Sequence, residues 1–264
     1  MKGLILTNAY STSKEYLYQS IRLKEEFSLL GVDIDIKQNN NFDAFIKDNI
    51  IYTHCKDYDF VIYWDKDKYI LSMLDKLHLP IFNNKQAILD CDDKMLTYIR
   101  LANENIPLPK TLPGLFCYTK EEKIKQSSIK RIEEELNYPL IAKYSYGSLG
   151  EGVFLVHNRN ELLDVMERLK CEPHLYQENI ASSYGKDIRI IVIGDKVVGG
   201  MLRQSNGNFK SNVGAGGKGT PYKIDAHLSQ LALKVKADEI NNIKYSSNAC
   251  NIKFRVDIYT VWIA

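Results

Sequence analysis

Residues 138–156 read YPLIAKYSYGSLGEGVFLV. The apolar run Leu140-Ile141-Ala142 followed by Lys143 has the pattern of a buried strand that ends on a charge. Gly147-Ser148-Leu149-Gly150-Glu151-Gly152 is a turn rich in residues without a Cβ, and the stretch up to Val156 is a second strand. Glycines in such a loop let backbone N–H groups converge on phosphate oxygens. Strand, glycine loop and strand therefore suggest a phosphate covered by β-structure rather than one seated on a helix N-terminus. The chain has no GxxxxGK[ST] entering a helix, and it lacks the HRD and DFG motifs of a kinase. Taken alone, an ordinary hairpin turn with three glycines is the plain alternative.

Lys143 adds weight to the phosphate reading. A lysine at the edge of a buried strand needs an anionic partner to offset its desolvation, although a snorkelling stem is the simpler account. A second block runs from Gln177 to Arg203, QENIASSYGKDIRIIVIGDKVVGGMLR. The strand Leu175-Tyr176-Gln177 ends at Glu178. Asn179-Ile180 then makes a hinge whose backbone suits an adenine edge. Asp187 and Arg189, two apart on a strand, share one face; an exposed ion pair is the alternative. Arg203 falls at the end of a strand over 197–202 or just beyond it. Phe209-Lys210-Ser211-Asn212 and the run Gly214-Ala215-Gly216-Gly217-Lys218 form a segment suited to closing over substrate.

Around these blocks, 264 residues with 45% hydrophobic and 26% charged side chains describe a soluble globular protein of two or three compact parts. A net charge of +2 with no long basic block gives no reason to expect nucleic acid or a membrane surface. The chain has no apolar run of membrane-span length and no signal-peptide core, so the expected compartment is the cytoplasm. The five cysteines, Cys55, Cys91, Cys117, Cys171 and Cys250, form no CxxC pair and read as reduced thiols.

Upstream, Lys2–Asn8 predicts a buried strand. Ser13–Leu30 predicts a helix with Leu17, Ile21, Lys24 and Phe27 on its inner face. Strands follow over 32–37 and 59–64, a helix over 67–77, and a short strand at Pro80-Ile81-Phe82-Asn83. This order implies an open α/β sheet, and no GxGxxG marks it for a dinucleotide. Residues 86–105 predict two helices broken near Asp90-Cys91-Asp92. An extended proline segment then leads to Thr111, and Glu121–Leu136 predicts a charged helix. A further helix is expected over 159–170.

Four segments in order resemble the ATP-grasp superfamily, specifically RimK-like carboxylate–amine ligases of the glutamate ligase type. They are CDDKMLTYIRLANENIPLPKT (91–111), YPLIAKYSYGSLGEGV (138–153), YQENIASSYGKDIRIIVIGDKVVGGMLR (176–203) and FKSNVGAGGK (209–218). The resemblance covers about 85–235. It implies a mixed α/β and α+β architecture, with an N-terminal open α/β (pre-ATP-grasp) domain over 1–85. Two α+β subdomains would hold ATP: a lid over 86–174 and an incomplete C-terminal subdomain over 175–240. A divergent tail follows over 241–264. By the same resemblance, Lys94 and Lys143 would contact the ATP phosphates beneath Gly147, Ser148, Gly150 and Gly152. Gln177, Glu178, Asn179 and Ile180 would hold the adenine, and Asp187 would lie near the ribose. Lys210, Ser211 and Asn212 would complete the triphosphate site, with Arg189 and Arg203 as the catalytic pair at the acyl-phosphate centre. The implied reaction uses ATP and magnesium (or manganese). Its substrates are an amino acid and a carboxylate, on a small molecule or a protein terminus.

One departure stands out. The family pattern places a metal-ligand aspartate near 247 or 248, followed by ExN. Here Ser247 and Asn248 occupy that place, Asp257 arrives late, and no ExN follows it. Either Asp257 is a ligand after an insertion, or the tail is unrelated to the family pattern, as a frameshift would produce. An intact metal site is not expected, and a chain that only binds nucleotide is the alternative function. The apolar ending Tyr259-Thr260-Val261-Trp262-Ile263 is expected to be unpaired.

Overall fold

The structure, a computed structural model, describes the chain apart from residues 12, 148–149, 208, 212–215, 241–257 and 264. It divides into two compact units, Met1–Leu89 and Asp90–Ala264.

In the first unit the chain runs β1 (Lys2–Thr7), α1 (Lys14–Leu29), β2 (Asp33–Gln38), β3 (Ala44–Lys47), β4 (Ile50–Thr53), β5 (Phe60–Trp64), α2 (Lys68–Lys76), β6 (Ile81–Phe82) and α3 (Lys85–Asp92). The last turn of α3 enters the second unit. The main sheet is parallel, in the order β2-β1-β5-β6. Leu4, Ile5, Leu6 and Val61 are fully buried, so β1 and β5 read as unbroken apolar runs, as strands covered on both faces do. Ser13 caps α1 by accepting the N–H of Tyr16, and Asp67 caps α2 by accepting those of Tyr69 and Ile70. Beyond the carboxyl ends of β1, β2 and β5, Asn8 and Asn39 each donate an amide N–H to one oxygen of Asp65, at 3.0 and 2.9 Å.

Two expectations fail in this unit. Leu17 and Ile21 lie on the exposed side of α1, while Ser20 and Phe27 are buried. The inward stripe is Tyr16, Ser20, Leu23 and Phe27. Ser20 disguised it, because its hydroxyl is satisfied locally by the Leu17 carbonyl at 2.9 Å. The β3–β4 hairpin was not foreseen; Asp48 and Asn49 turn it with positive φ of 50° and 61°.

The second unit continues with α4 (Lys94–Leu101), β7 (Thr111–Pro113), α5 (Gln126–Glu135), β8 (Leu140–Tyr144), β9 (Val153–Val156), α6 (Arg159–Leu169), β10 (His174–Glu178), β11 (Lys186–Ile193), β12 (Lys196–Gln204), β13 (Lys218–Pro221), α7 (Ala226–Ile240) and β14 (Ile258–Ile263). It holds two antiparallel sheets, ordered β7-β10-β8-β9 and β13-β12-β11-β14. Helices α5 and α6 cover one face of the first sheet. Ile129, Ile132, Leu162, Met166 and Leu169 pack there on Leu140, Ala142 and Tyr176. Strand alternation sends Ile141, Lys143 and Gln177 to the opposite face. Helix α7 packs on β11 and β12 of the second sheet and also against α4, which links the two sheets.

The structure corrects the sequence reading in three places here. Helix α5 begins at Gln126, not at Glu121; its buried stripe starts at Ile129, so the acidic residues before it have no core contact to hold a helix. Arg203 lies inside β12, which extends to Gln204 because the ladder with β11 continues to Lys186. The apolar ending is paired: β14 runs antiparallel to β11, with Arg189 opposite Trp262 and Ile193 opposite Ile258.

Candidate functional site

On the face of the first sheet turned away from α5 and α6, the Lys143 ammonium donates to Gln177 Oε1 at 2.9 Å and to the Tyr98 hydroxyl at 3.5 Å. It also sits 5.3 Å from the centre of the Tyr98 ring. Gln177 is buried, and its Nε2 donates to Thr111 Oγ1 at 2.7 Å. Amide, phenol and threonine thus fix the position of Lys143 with neutral groups. Among the described residues no carboxylate is bonded to it. A half-buried cation held this way has no counter-charge among the described residues to offset its desolvation.

The glycine loop returns to the same corner. Asp93 caps α4, accepting the N–H groups of Met95 and Leu96. The Lys94 ammonium donates to the carbonyls of Gly147 (2.8 Å) and Ser145 (3.2 Å), and the Lys94 N–H also bonds to Ser145 O at 2.9 Å. Gly147, Gly150 and Gly152 have positive φ of 109°, 79° and 67°. At Gly152 a Cβ would lie 2.3 Å from the Tyr144 ring, so the loop closes onto β8 only with glycine there. Ser148 lies outside the described residues.

At the end of β10, Glu178 is engaged with the proline segment. Its N–H bonds to Lys110 O at 3.0 Å, and its carboxylate accepts the Lys110 N–H at 2.7 Å. Asn179 and Ile180 follow, half-buried, and lead into a short turn of 3-10 helix over Ala181–Ser183.

The second sheet carries the other group. Asp187 and Arg203 are cross-strand partners, and the guanidinium grips the carboxylate with two bonds, Nε to Oδ1 at 2.7 Å and NH2 to Oδ2 at 2.6 Å. Ser211 donates its hydroxyl to the same carboxylate. Arg203 and Ser211 are both buried. Arg189 shares this face, two residues from Asp187. Burial and then the like charge of Arg203 push its pKa down, while Asp187 pulls the other way. The same-face pair expected at Asp187 and Arg189 is therefore a three-group cluster in which Arg203 holds the carboxylate. Lys210 lies with its ammonium 5.5 Å from the Phe209 ring centre. Asn212 lies outside the described residues.

The predicted residues thus gather into two clusters, Lys94–Lys143–Gln177 with the glycine loop, and Asp187–Arg189–Arg203–Ser211. Sequence reasoning missed Tyr98 and Thr111, which anchor the first. Tyr98 was detectable in principle, since it stands four residues after Lys94 and so shares its helix face.

Residues 91–244 match the model of the RimK-like ATP-grasp domain. The chain belongs to this family. Among curated relatives it is 37% identical over 175 residues to beta-citrylglutamate synthase B of Mus musculus. That alignment covers 65% of this chain and 43% of the synthase, so the chain spans less than half of that relative. It is 28% identical over 235 residues to the alpha-aminoadipate–LysW ligase LysX of Saccharolobus solfataricus, covering 87% of this chain and 77% of LysX. The fold is like that of a RimK domain ATP-grasp protein from Sphaerobacter thermophilus, with a TM-score of 0.62 at 18% identity, covering 90% of this chain and 82% of the other.

ATP-grasp ligases use ATP and a divalent metal. The first cluster fits a polyphosphate: Lys143 has only neutral partners among the described residues, and Lys94 braces the glycine loop through carbonyls. The described residues do not fit a metal as well. Among them no three His, Cys, Asp or Glu side chains gather in one place, and Asp257 lies outside them. No helix among the described residues is long and apolar enough to cross a membrane.

Proposed function

We propose that this chain is an ATP-dependent carboxylate–amine ligase. It would add glutamate or another amino acid to a small-molecule acceptor or a protein terminus, through an acyl phosphate and with release of ADP. The observation that carries the reading is Lys143, a half-buried ammonium positioned by Tyr98 and Gln177 and bonded to no carboxylate among the described residues. ATP supplies the phosphoryl group that activates the carboxylate. Lys143 and Lys94 neutralise charge on the phosphates, while Gly147, Ser148, Gly150 and Gly152 cover them. Gln177 to Ile180 line the adenine side and Asp187 lies toward the ribose. Arg189 meets the negative charge at the reacting centre, held in place by Arg203, whose guanidinium is engaged by Asp187, with Lys210, Ser211 and Asn212 beside it. Such a site works mainly by position and charge. The parts on this reading are a pre-ATP-grasp domain over 1–85, a lid over 86–174, a C-terminal subdomain over 175–240 and a tail over 241–264.

The identity of Ser247 and Asn248, where the family pattern carries an aspartate, favours a second reading. In it the chain binds nucleotide without turning it over. One experiment separates the two. ADP release is followed with magnesium, ATP, glutamate and a panel of carboxylates, beside calorimetric titration with ATP. Turnover above a Lys143→Ala control supports the ligase. Binding of ATP without turnover supports the second reading. If ATP does not bind, both fail.

A further inference from the structure

One cavity among the described residues lies away from Lys143 and the glycine loop. It measures about 440 Å³ and lies on the helical side of the first sheet, between the loop after β7, α5, α6 and β10. That volume falls within the range of roughly 300–1,000 Å³ common for small-molecule sites. The buried lining forms its floor: Ile132, Met166, His174 and Tyr176. The exposed lining forms its mouth: Phe116, Tyr118, Lys123, Lys125 and Arg131.

Tyr176 is 2% exposed; its hydroxyl is covered by its neighbours and, among the described residues, has no hydrogen-bond partner. Leaving a buried hydroxyl unpaired is unfavourable, and in a cavity wall it offers a donor to whatever enters. Its neighbour His174 makes an edge contact with the Tyr176 ring at 5.3 Å. Nδ1 of His174 bonds to Glu172 O at 2.7 Å. The Nε2 side is packed on Gly114, where a Cβ would lie 2.1 Å from Nε2. Burial lowers the His174 pKa and raises that of Tyr176, so the floor holds a neutral ring and a protonated phenol. At His174 and Tyr176 the floor is therefore neutral, and the buried Lys170 ammonium in the same lining is paired with Glu167 and bonded to the Glu122 carbonyl. The mouth is charged: Lys125 pairs with Glu122 at 3.6 Å, Arg131 donates to the Pro113 carbonyl at 3.5 Å, and Lys123 lines it beside them. Phe116 and Tyr118 form an exposed edge-to-face pair at the rim, 5.2 Å between centres.

We propose that this cavity is a second ligand site, separate from the nucleotide site, and that it takes a small amphipathic anion. The apolar body lies along Ile132 and Met166, a neutral acceptor meets the Tyr176 hydroxyl, and the anionic group stays among Lys123, Lys125 and Arg131.

The test is calorimetric titration of the full chain with para-acetyl hydrocinnamate, and with para-isopropyl hydrocinnamate, which has the same shape without the acceptor. The acetyl acid is expected to bind once per chain, roughly tenfold tighter than the isopropyl acid. Tyr176→Phe should remove that difference without lowering the melting temperature. Reversing Lys123 and Arg131 together to glutamate should weaken both acids by roughly tenfold. Lys143→Ala should leave both affinities unchanged. If Tyr176→Phe fails to fold, Ser128→Trp closes the cavity from α5 and must abolish binding. Absence of saturable binding overturns the proposal, and so do equal affinities for the two acids, binding that survives Ser128→Trp, or binding lost in Lys143→Ala.

Discussion

On the first sheet Lys143 rests on an amide and a phenol, whereas on the second Arg203 is locked by two bonds to Asp187. Both cations sit on faces that alternation turns away from the covering helices. One is positioned and keeps its charge; the other is neutralised within the fold. The first arrangement readies a site for an incoming anion. The second is a clamp across β11 and β12 that fixes where neighbouring Arg189 stands. A cation on an antiparallel sheet thus serves two ends, a lysine with neutral partners in one case and an arginine gripped by a carboxylate in the other.

The comparison breaks most directly at Asp187. Asp187→Asn leaves Arg203 buried opposite a neutral amide, and losing one partner of a buried ion pair is destabilising by about 3–5 kcal/mol. Urea unfolding should show that loss. Asp187→Asn combined with Arg203→Met should recover part of it, because no unpaired charge is left. A change under about 1 kcal/mol in the single variant would mean that the pair is effectively solvated and is not a clamp.

Lys143→Met should do the opposite. On the proposed function, removing its ammonium should cost roughly a hundredfold or more in ADP release, on the scale of removing one preorganised charge-stabilising group. Stability should hold or rise, because a half-buried charge has been deleted. If Lys143→Met unfolded the chain while Asp187→Asn left it folded, the roles assigned to the two cations would be reversed.

Much of this was legible in the sequence, for physical reasons. The unbroken apolar runs of β1 and β5 announce strands covered on both faces, and Gly147, Gly150 and Gly152 announce a backbone that needs positive φ. Lys143 stood out as a charge at the end of an apolar run. The partners that give it meaning did not: Tyr98 and Thr111 come from distant segments, and single-sequence periodicity carries no tertiary pairing. Arg203 was placed at the end of its strand or just beyond it, because the ladder with β11 that carries β12 on to Gln204 is not local information. Ser20 hid the inner face of α1 by satisfying its hydroxyl on its own helix. The pairing of β14 with β11 was missed because the tail was read as unrelated to the family pattern, and pairing between distant segments is not local information.

Gly152→Ala sharpens the comparison at the loop. An alanine at a φ of 67° is strained by about 1–2 kcal/mol, and its Cβ meets the Tyr144 ring. Lower stability with weakened nucleotide affinity is expected by calorimetry. Gly147→Ala, where nothing lies closer than 3.8 Å, should show only the backbone part. Equal losses in the two variants would rule out the Tyr144 contact as a factor.

The smallest expected effect concerns His174, on the helical side of the same sheet. Burial pushes its pKa down, although its bond to Glu172 O pulls the other way. The unfolded chain takes up this proton near the usual value of about 6.5, while the folded chain resists it. Below that pH the unfolded state therefore binds more protons, and stability falls as pH falls. The neutral ring's contribution is complete above about pH 6.5 and is lost as the pH drops toward the lowered folded value. Urea midpoints at pH 7.5 and 5.5 should differ in that direction. His174→Phe fills the same space against Gly114 without a titrating proton, and it should flatten the difference. An unchanged slope in His174→Phe would move the source of the pH dependence elsewhere in the fold, since carboxylates titrate mostly below this window.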